Sequence, residues 1–327
     1  MPAPVPTTAT TLGVAKETTR YTAVAAATFV APKSVNPQDI PMPLYDLGWR
    51  GSAAQVYGHT QGPLYSTFDF GGDVFADTIG FPLGSVLGSS TSTGGGASPF
   101  THTMALKNTG DFQPTSQTWT DYDGINARQY AGWLCSEVAI KFSGDGQMEY
   151  TAKGFSLASA TAATPTASFS AVTLSPAWRI TSTVGASTVS TVLSGELTLK
   201  RTVNVFHTAD GTQAPHSIFA AGDFDISGKA TFLMEDDSRL TDFLASTQQV
   251  LDFTFNGAGA GAAATSVGFH MTKAVIDLGT INRGADAVEI DCSFRGIANS
   301  TDATTAGTGL SPVRVTLVNA TTGSTYQ

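Results

Sequence analysis

The chain has 327 residues, which is enough for about two domains that each bury a hydrophobic core. Charged residues make up only 13% of it, and 26 acidic against 17 basic residues give a formal net charge of −9. This balance argues against a basic surface that holds nucleic acid through its phosphates, whereas an acidic wall would let a duplex slide past. Abundant Gly, Ala, Ser and Thr, without long Lys/Glu-rich stretches, predict an all-β chain with minor α-helix.

Cysteine content and the start of the chain bear on its compartment. Cys135 and Cys292 each fall within a predicted strand, which favours two free thiols in a reducing compartment over a disulfide. The first residues lack the basic and apolar regions of a signal peptide. The longest apolar stretch, residues 23–31, is far shorter than the roughly 20 residues needed to cross a bilayer. We therefore expect neither standard export nor a membrane location.

Residues 1–50 are predicted to form an extended, Pro-rich N-terminal arm. Pro2, Pro4 and Pro6 open the chain, and four more prolines bracket short apolar pieces at positions 32, 37, 41 and 43. Proline breaks helices and confines strands to sheet edges. We expect that such a segment cannot bury itself and lies along a neighbouring surface.

A first β unit is predicted over residues 51–157. It contains an aromatic strand at residues 65–70, after which Asp73 is placed to cap a short helical stretch that extends to residue 87. Residues 89–98 are rich in Ser, Thr and Gly and have no apolar anchor, which predicts a mobile loop.

The clearest local pattern in this unit predicts a β-hairpin. Residues 134–142 alternate between the two faces of a strand, with Leu134 and Val138 on the same face, and residues 148–152 return along the partner strand. Asp145-Gly146 lies between the two alternating runs, and this dipeptide favours a two-residue turn.

Residues 158–168, rich in Ala, Thr and Pro, are predicted to link the first unit to a second β unit over residues 169–327. Alternating apolar residues predict seven strands in the second unit, at residues 178–184, 188–206, 224–234, 250–255, 267–276, 287–296 and 313–319. Ser238 is predicted to cap a short amphipathic helix over residues 238–245. Residues 256–265 and 299–309 are predicted to be flexible tips.

One unit occurs twice in this pattern. The strand and helix around Asp73 are echoed 163 residues later around Asp236. The strand that contains Cys135 is echoed by the strand that contains Cys292, at an offset of 157 residues. Because no catalytic constellation accompanies the duplicated β unit, the sequence indicates a building block more than an enzyme.

No catalytic, cofactor-binding or metal-binding residues are predicted. The five histidines, at positions 59, 102, 207, 216 and 270, show no helical ligand spacing, and only a metal site formed in three dimensions stays open. Asp121 and Asp123 resemble part of a calcium loop, but Gly132 stands where the twelfth-position acid belongs, so a turn is preferred. The acidic run at residues 235–237 is interpreted as a helix start in preference to a catalytic carboxylate pair.

Several stretches, taken in order, carry a resemblance to a known family. They are residues 65–73 (YSTFDFGGD), 83–88 (LGSVLG), 130–135 (YAGWLC), 194–201 (SGELTLKR), 228–237 (GKATFLMEDD) and 299–302 (NSTD). Together they resemble the major tail-tube proteins of long-tailed bacteriophages, particularly those of actinobacterial phages, over about residues 50–320. The resemblance lies in pattern and order and includes no short diagnostic motif.

This resemblance implies a fold and a function. The implied fold is two tandem tail-tube-like β-sandwich or barrel domains, each with a short flanking helix, whose inner sheets join those of neighbours around a lumen. The implied rings stack, DNA passes through them at ejection, and two domains per chain favour a trimer with pseudo-sixfold symmetry slightly over a hexamer. The implied protein is a virion component assembled in the host cytoplasm, with no catalytic residues or cofactor. Its implied partners are the tape measure, tail terminator and distal tail proteins.

Two other classes remain open from the residues alone. One is a β-sandwich adhesin or receptor-binding protein, although the predicted tips are rich in Ser, Thr, Gly and Ala and lack aromatic clusters. The other is a capsid-decoration protein, which shares the composition. The tail-tube interpretation also has a physical basis, because long alternating strands aggregate at a free sheet edge and ring closure removes every edge.

Overall fold

The structure is a computed structural model that describes residues 4–94, 99–185, 187–257, 259–284, 286–303, 309–323 and 325–326. The strands in this described part are β1 (Thr11–Lys16), β2 (Thr28–Val30), β3 (Pro32–Pro41), β4 (Leu44–Asp46), β5 (Gly58–Thr60), β6 (Leu64–Asp73), β7 (Gly88–Thr93), β8 (Phe100–Leu106), β9 (Gln117–Tyr122), β10 (Ala127–Ser143), β11 (Glu149–Ser156), β12 (Ala160–Ala162), β13 (Ile180–Val184), β14 (Ser187–Val189), β15 (Val192–Phe206), β16 (Ser217–Leu233), β17 (Gln249–Asn256), β18 (Ser266–Asn282), β19 (Glu289–Gly296) and β20 (Arg314–Asn319). The α-helices are α1 (Gly80–Leu87) and α2 (Ser238–Ala245). The predicted fold class, all-β with minor α, is confirmed.

The largest sheet has eight antiparallel strands in the order β3–β6–β11–β10–β15–β16–β19–β18. Its apolar side chains point to one face at alternate positions, as expected for a sheet that covers a core on one side only. Phe70, Ile140, Leu199, Ile226 and Phe294 all lie buried on that face.

The two halves of the eight-stranded sheet repeat the same connectivity. Along the chain each half has a first strand, a second strand, a helix, a long strand and a return strand: β3, β6, α1, β10 and β11 in one half, and β15, β16, α2, β18 and β19 in the other. In both halves the return strand pairs between the second strand and the long strand. This repeated order supports a duplicated unit, while the predicted domain boundaries stay predictions.

One of the two predicted sequence echoes is wrong. Cys135 lies on the long strand β10, whereas Cys292 lies on the return strand β19. Since β10 corresponds to β18 in the repeated order, the two cysteines occupy different strands of the repeat.

The long strands β10 and β18 each take part in two sheets. The first part of β10 pairs with β9 and β12, and β1 and β2 extend this smaller sheet in the order β2–β1–β9–β10–β12. The first part of β18 pairs with β17 and β20, giving the order β14–β13–β17–β18–β20–β8–β7. These two smaller sheets cover the apolar face of the eight-stranded sheet.

One hydrophobic cluster spans the two predicted units. Trp119 and Trp133 come from the first unit, Phe253 and Phe269 come from the second, and all four are buried in the same cluster. The pairing of β10 with β15 continues the sheet from one unit to the other. The predicted linker at residues 158–168 therefore does not separate two independent cores.

The expectation of an arm that cannot bury itself is wrong for β1 and β2, which contribute buried residues. Leu12 and Val14 on β1 are fully buried, and β1 pairs with strands on both sides. The prolines at positions 32, 37 and 41 lie in β3, which is an edge strand and therefore tolerates missing N–H donors. Each short apolar piece between the prolines finds a long-range partner, which sequence spacing alone does not reveal.

The predicted hairpin at β10 and β11 is confirmed, but its two-residue turn is wrong. β10 ends at Ser143 and β11 begins at Glu149, so five residues connect the strands. A β-bulge between Cys135 and Glu137 also reverses the faces, so that Leu134 and Val138 join different hydrophobic clusters.

The helices depart from prediction at their starts. Asp73 belongs to β6, and α1 begins only at Gly80, then ends at Gly88, which has a left-handed φ of 88°. Residues 88–93 form β7 in place of the predicted mobile loop, and residues 95–98 of that loop lie outside the described residues. Helix α2 has its predicted bounds. The side chain of Ser238 was predicted to cap it, but at this helix start it is the carboxylate of Asp236 that accepts a hydrogen bond, from the backbone N–H of Ser238 at 2.8 Å.

The predicted tip at residues 299–309 is partly wrong. Asp302 is fully buried and accepts hydrogen bonds from the backbone N–H of Thr272 at 2.8 Å and from its hydroxyl at 2.7 Å. Residues 304–308 lie outside the described residues. The start of this segment is therefore anchored to β18.

Candidate assembly surfaces

The eight-stranded sheet presents a charged face on the side away from the core. Its carboxylates are Asp69, Asp73, Glu137, Glu149, Glu196, Asp225, Glu289 and Asp291, and its cations are Lys33, Lys141, Lys153, Lys200, Lys229 and Arg295. A shallow groove in this face is lined by both signs of charge, including Lys141 and Glu149. Because the strand period is two, every second residue of these strands faces outward, and most of those residues are polar.

Several cations on this face are paired with carboxylates. Lys33 lies 2.6 Å from Asp73 and 2.5 Å from Glu149, and these hydrogen bonds raise its pKa. Further pairs join Lys153 to Glu137 at 2.7 Å, Lys141 to Glu196 at 3.5 Å and Arg295 to Asp225 at 3.3 Å. Pairs this exposed contribute little to stability, but they occupy cations that would otherwise attract phosphate.

The same sheet ends in two strands that pair on one side only within the described chain. At one end β3 pairs with β6, and at the other the second part of β18, residues 275–282, pairs with β19. Unpaired N–H and C=O groups along a sheet edge are a template for pairing with another chain. The two edges are therefore candidate contacts with further copies of the protein.

A hairpin formed by β4 and β5 projects from the body between β3 and β6. Trp49 near its tip is fully exposed, and other large apolar side chains of this segment are also exposed, namely Met42, Leu44, Tyr45, Leu47 and Val56. Such a concentration of exposed apolar and aromatic side chains is typical of a protein interaction site.

The N-terminal segment is held to the body by a buried carboxylate. Glu17 is almost fully buried and accepts hydrogen bonds from the hydroxyls of Ser116 at 2.5 Å and Thr118 at 2.7 Å, and from the backbone N–H of Gly132 at 2.6 Å. The backbone N–H of Tyr21 donates a fourth, at 2.9 Å. Four donors satisfy a carboxylate that lies away from water.

The C-terminal segment is held in a similar way around His102. This fully buried side chain forms hydrogen bonds with Ser92, Asn319 and the Thr321 carbonyl. Burial lowers the pKa of His102, and the hydrogen bonds to Asn319 and Thr321 raise it by less. Buried Tyr326 lies against its ring at a centroid distance of 4.9 Å. These contacts give His102 a structural role, because they join β8 to the C-terminal segment.

The chemical groups weighed in the sequence do not form a site in the described chain. Cys135 and Cys292 are free, as predicted, and both are buried, which raises the pKa of both thiols, that of Cys292 to about 11. Thiols with raised pKa values are poor nucleophiles. Among the described residues no group of three or more His, Cys, Asp or Glu side chains is arranged to hold a metal ion.

The two acidic motifs have the structural roles predicted for them. The carboxylate of Asp123 accepts hydrogen bonds from the N–H groups of Ile125 and Asn126, at 2.7 and 2.6 Å, which makes a turn that includes Gly124 at a φ of 89°. The run at residues 235–237 immediately precedes α2. Neither motif places its carboxylates around a common ligand.

Sequence reasoning missed the β4–β5 hairpin and the position of the free edges. The hairpin was absorbed into the Pro-rich arm, although three large apolar residues, Tyr45, Leu47 and Trp49, between Pro43 and Gly51 were a usable signal. The edges gave no local signal, because strand order depends on pairing between distant segments.

A charged sheet face, two free sheet edges and an exposed apolar hairpin define a β-structural protein built for association with other copies. The family model described as phage tail tube protein matches residues 7–296 of the chain. The chain belongs to this family and is a structural subunit of a phage tail tube, which decides against an adhesin or a capsid-decoration protein. Membership implies self-assembly into a tube, contact with other tail proteins and a place in the tail of the virion.

A comparison with curated proteins found no match. In the described part of the chain, no helix combines the length and the apolar character needed to span a membrane.

Proposed function

We propose that three copies of the chain close into one ring of the tail tube, with pseudo-sixfold symmetry, and that rings stack around a lumen through which viral DNA passes into the host. The observation that supports this most directly is the repeated order of four strands within the eight-stranded sheet. The pairing of β10 with β15 joins the repeats within one chain, and an equivalent pairing of β18 with β3 of the next copy closes the ring.

The size of the lumen favours three copies. Closed barrels have strands about 4.8 Å apart that tilt by about 40°, so the twenty-four strands of three copies give a diameter of roughly 48 Å between backbones. Two copies give roughly 32 Å and six copies roughly 95 Å by the same geometry. A DNA duplex, with grooves about 8 Å deep, is roughly 20 Å across. Three copies leave room for a duplex and the lining side chains, whereas two copies leave too little.

The charged face of the eight-stranded sheet lines this lumen in the proposal. Carboxylates outnumber cations there, and four of the cations, Lys33, Lys141, Lys153 and Arg295, are in ion pairs. A wall of this kind offers phosphate few free positive charges, so DNA passes without being held.

Stacking of rings is assigned to the projecting hairpin. Its exposed apolar side chains, Trp49 among them, become covered when the hairpin lies on the next ring. The tube grows in the host cytoplasm as part of a long-tailed, siphovirus-type virion. Its further contacts are with the tape measure inside the tube and with the distal tail and terminator proteins at its ends.

Electron microscopy of assembled tubes tests the ring. Tubes from purified protein or from virions are expected to show threefold symmetry with six similar lobes, and each ring is expected to contain three chains of 33.8 kDa. Rings with six chains would overturn the trimer. Discrete single chains at high concentration, under every solution condition that assembles related tubes, would overturn ring formation.

A further inference from the structure

We propose a register for the contact that closes the ring: β18 of one copy pairs antiparallel with β3 of the next, with Thr280 opposite Gln38. Leu278 then lies opposite Ile40 on one side of this pair, and Asn282 lies opposite Asn36 on the other. This inference rests on the proposed ring and adds the partner surface and its alignment.

The first step is the equivalence of the two long strands. β10 has a bulge between Cys135 and Glu137 where it pairs with β11, and β18 has one between Ile276 and Leu278 where it pairs with β19. A bulge is a specific local feature of a strand pair, so its recurrence fixes the alignment of the repeat. Glu137 therefore corresponds to Leu278.

The second step carries this alignment across each half. In each half, the residue that follows Glu137 or Leu278 on the long strand begins a row of directly opposed residues that crosses all four strands. The row is Val138, Ala152, Phe70 and Val35 in the first half, and Gly279, Cys292, Ala230 and Gly195 in the second. Val35 on β3 therefore corresponds to Gly195 on β15. Both rows point to the core, which agrees with the alternation of faces.

The third step transfers the junction seen within the chain. There Ala139 on β10 lies opposite Thr198 on β15. Ala139 corresponds to Thr280, and Thr198 corresponds to Gln38, so these two lie opposite each other between copies. The pairs Glu137–Lys200 and Lys141–Glu196 transfer in the same way, to Leu278–Ile40 and Asn282–Asn36.

The side chains on the two edges suit this alignment. Leu278 is 53% exposed in the single chain and gains an apolar partner in Ile40. The other two pairs are uncharged and polar, so no like charges meet across the contact, and their side chains can hydrogen-bond. In contrast, the junction within the chain has an ion pair of Lys141 with Glu196 at 3.5 Å. The contact between copies is therefore expected to be less sensitive to salt.

The edge prolines explain why this contact is weaker than the junction within the chain. Pro37 lies opposite Ile281 in the proposed register and has no N–H to donate, whereas residues 194–200 of β15 contain no proline. A contact with fewer hydrogen bonds keeps free copies apart until a neighbouring ring adds its own contacts.

Disulfide trapping tests the register. The full-length variant Thr280→Cys/Gln38→Cys is assembled into tubes, checked by electron microscopy and then oxidised. Directly opposed residues have Cβ atoms about 4.5–5.5 Å apart, within a small shift of the roughly 3.5–4.5 Å of a disulfide, whereas residues two positions out of register are about 7 Å apart. We expect covalent trimers on non-reducing gels, formed at least fivefold faster than in the control Thr280→Cys/Asn36→Cys.

The outcomes separate this inference from the proposed function. Tubes in which the control pair links faster, or in which neither pair links, overturn the register and leave the tube subunit intact. Absence of tubes from the unmodified chain counts against the proposed ring. If only the cysteine variants fail to assemble, hydrogen exchange on the unmodified protein decides: amide protection of residues 36–40 and 278–282 rises on assembly, and unchanged protection overturns the pairing.

Discussion

Gly132 shows how one residue lets a strand serve two sheets. It lies where β10 leaves the sheet of β9 and enters the eight-stranded sheet, and its φ of 71° is in the left-handed region that favours glycine. A Cβ at this position would lie 2.4 Å from Cδ1 of Tyr21. The N–H of Gly132 also donates to the buried Glu17. One glycine therefore joins the N-terminal segment to the bend.

We expect Gly132→Ala to lower the free energy of unfolding by about 2–5 kcal/mol, from backbone strain of about 1–2 kcal/mol and overpacking of about 1–3 kcal/mol. Gly211→Ala is the matched control, because Gly211 has a φ of 83° and open space around its missing Cβ, so only the strain of about 1–2 kcal/mol applies. Urea unfolding of unassembled protein measures both losses. Equal losses in the two variants would show that Tyr21 does not constrain the site.

At the scale of elements, the repeat is the same in order but not in its insertions. The connection between β3 and β6 carries the projecting hairpin, whereas the equivalent connection between β15 and β16 spans only residues 207–216. The base of the hairpin is closed by a hydrogen bond from Met42 N to Pro63 O at 3.0 Å, so its removal leaves β3 and β6 in place. The hairpin is an addition to one repeat, and in the proposed trimeric ring it would break the sixfold equivalence of the lobes.

Replacement of residues 44–60 by a short Gly-Ser linker is expected to leave ring formation intact and to reduce stacking at least tenfold, because the exposed apolar side chains are lost. Sedimentation and electron microscopy distinguish single rings from tubes. The matched control shortens residues 208–212 in the equivalent connection and is expected to keep full-length tubes. Normal tubes from the hairpin deletion would remove the hairpin from the stacking contact.

At the scale of the whole molecule, the proposed lumen makes a testable demand on the charge of the sheet face. Glu137, Glu149 and Glu196 each contact a lysine on this face. Replacing all three by Gln leaves Lys153 and Lys141 without these partners and removes one of the two partners of Lys33. The face then has more cations than carboxylates, and in the proposed ring the change is repeated in each of the three copies.

We expect tubes of the triple variant to retain duplex DNA at low salt and to release it steeply as salt is raised, since phosphate binding displaces counterions. Unmodified tubes are expected to retain at least tenfold less. Glu235→Gln/Asp237→Asn/Asp286→Asn makes the same change in net charge away from the face and serves as the control. Equal retention by both triple variants in a filter-binding assay would mean that this face does not line the lumen.

The sequence by itself determined the elements whose signals are local. Alternating apolar residues located β17, β19 and β20, and the amphipathic spacing after Asp236 located α2, because one buried face imposes its period on the neighbouring residues. The free cysteines, the acidic turn at Asp123 and the family resemblance also came from short stretches.

Only the tertiary structure decided which strands meet. A single bulge at Cys135 reversed the predicted faces of β10, and distant partners buried Leu12 in a segment that the prolines marked as exposed. The order of the eight strands, and with it the free edges at β3 and β18, depends on pairing between segments far apart in the chain. Examples are Phe70 with Ala152 and Val138 with Leu199. Backbone hydrogen bonds are the same for every residue type, so the identity of a partner strand is set by the packing of the whole core.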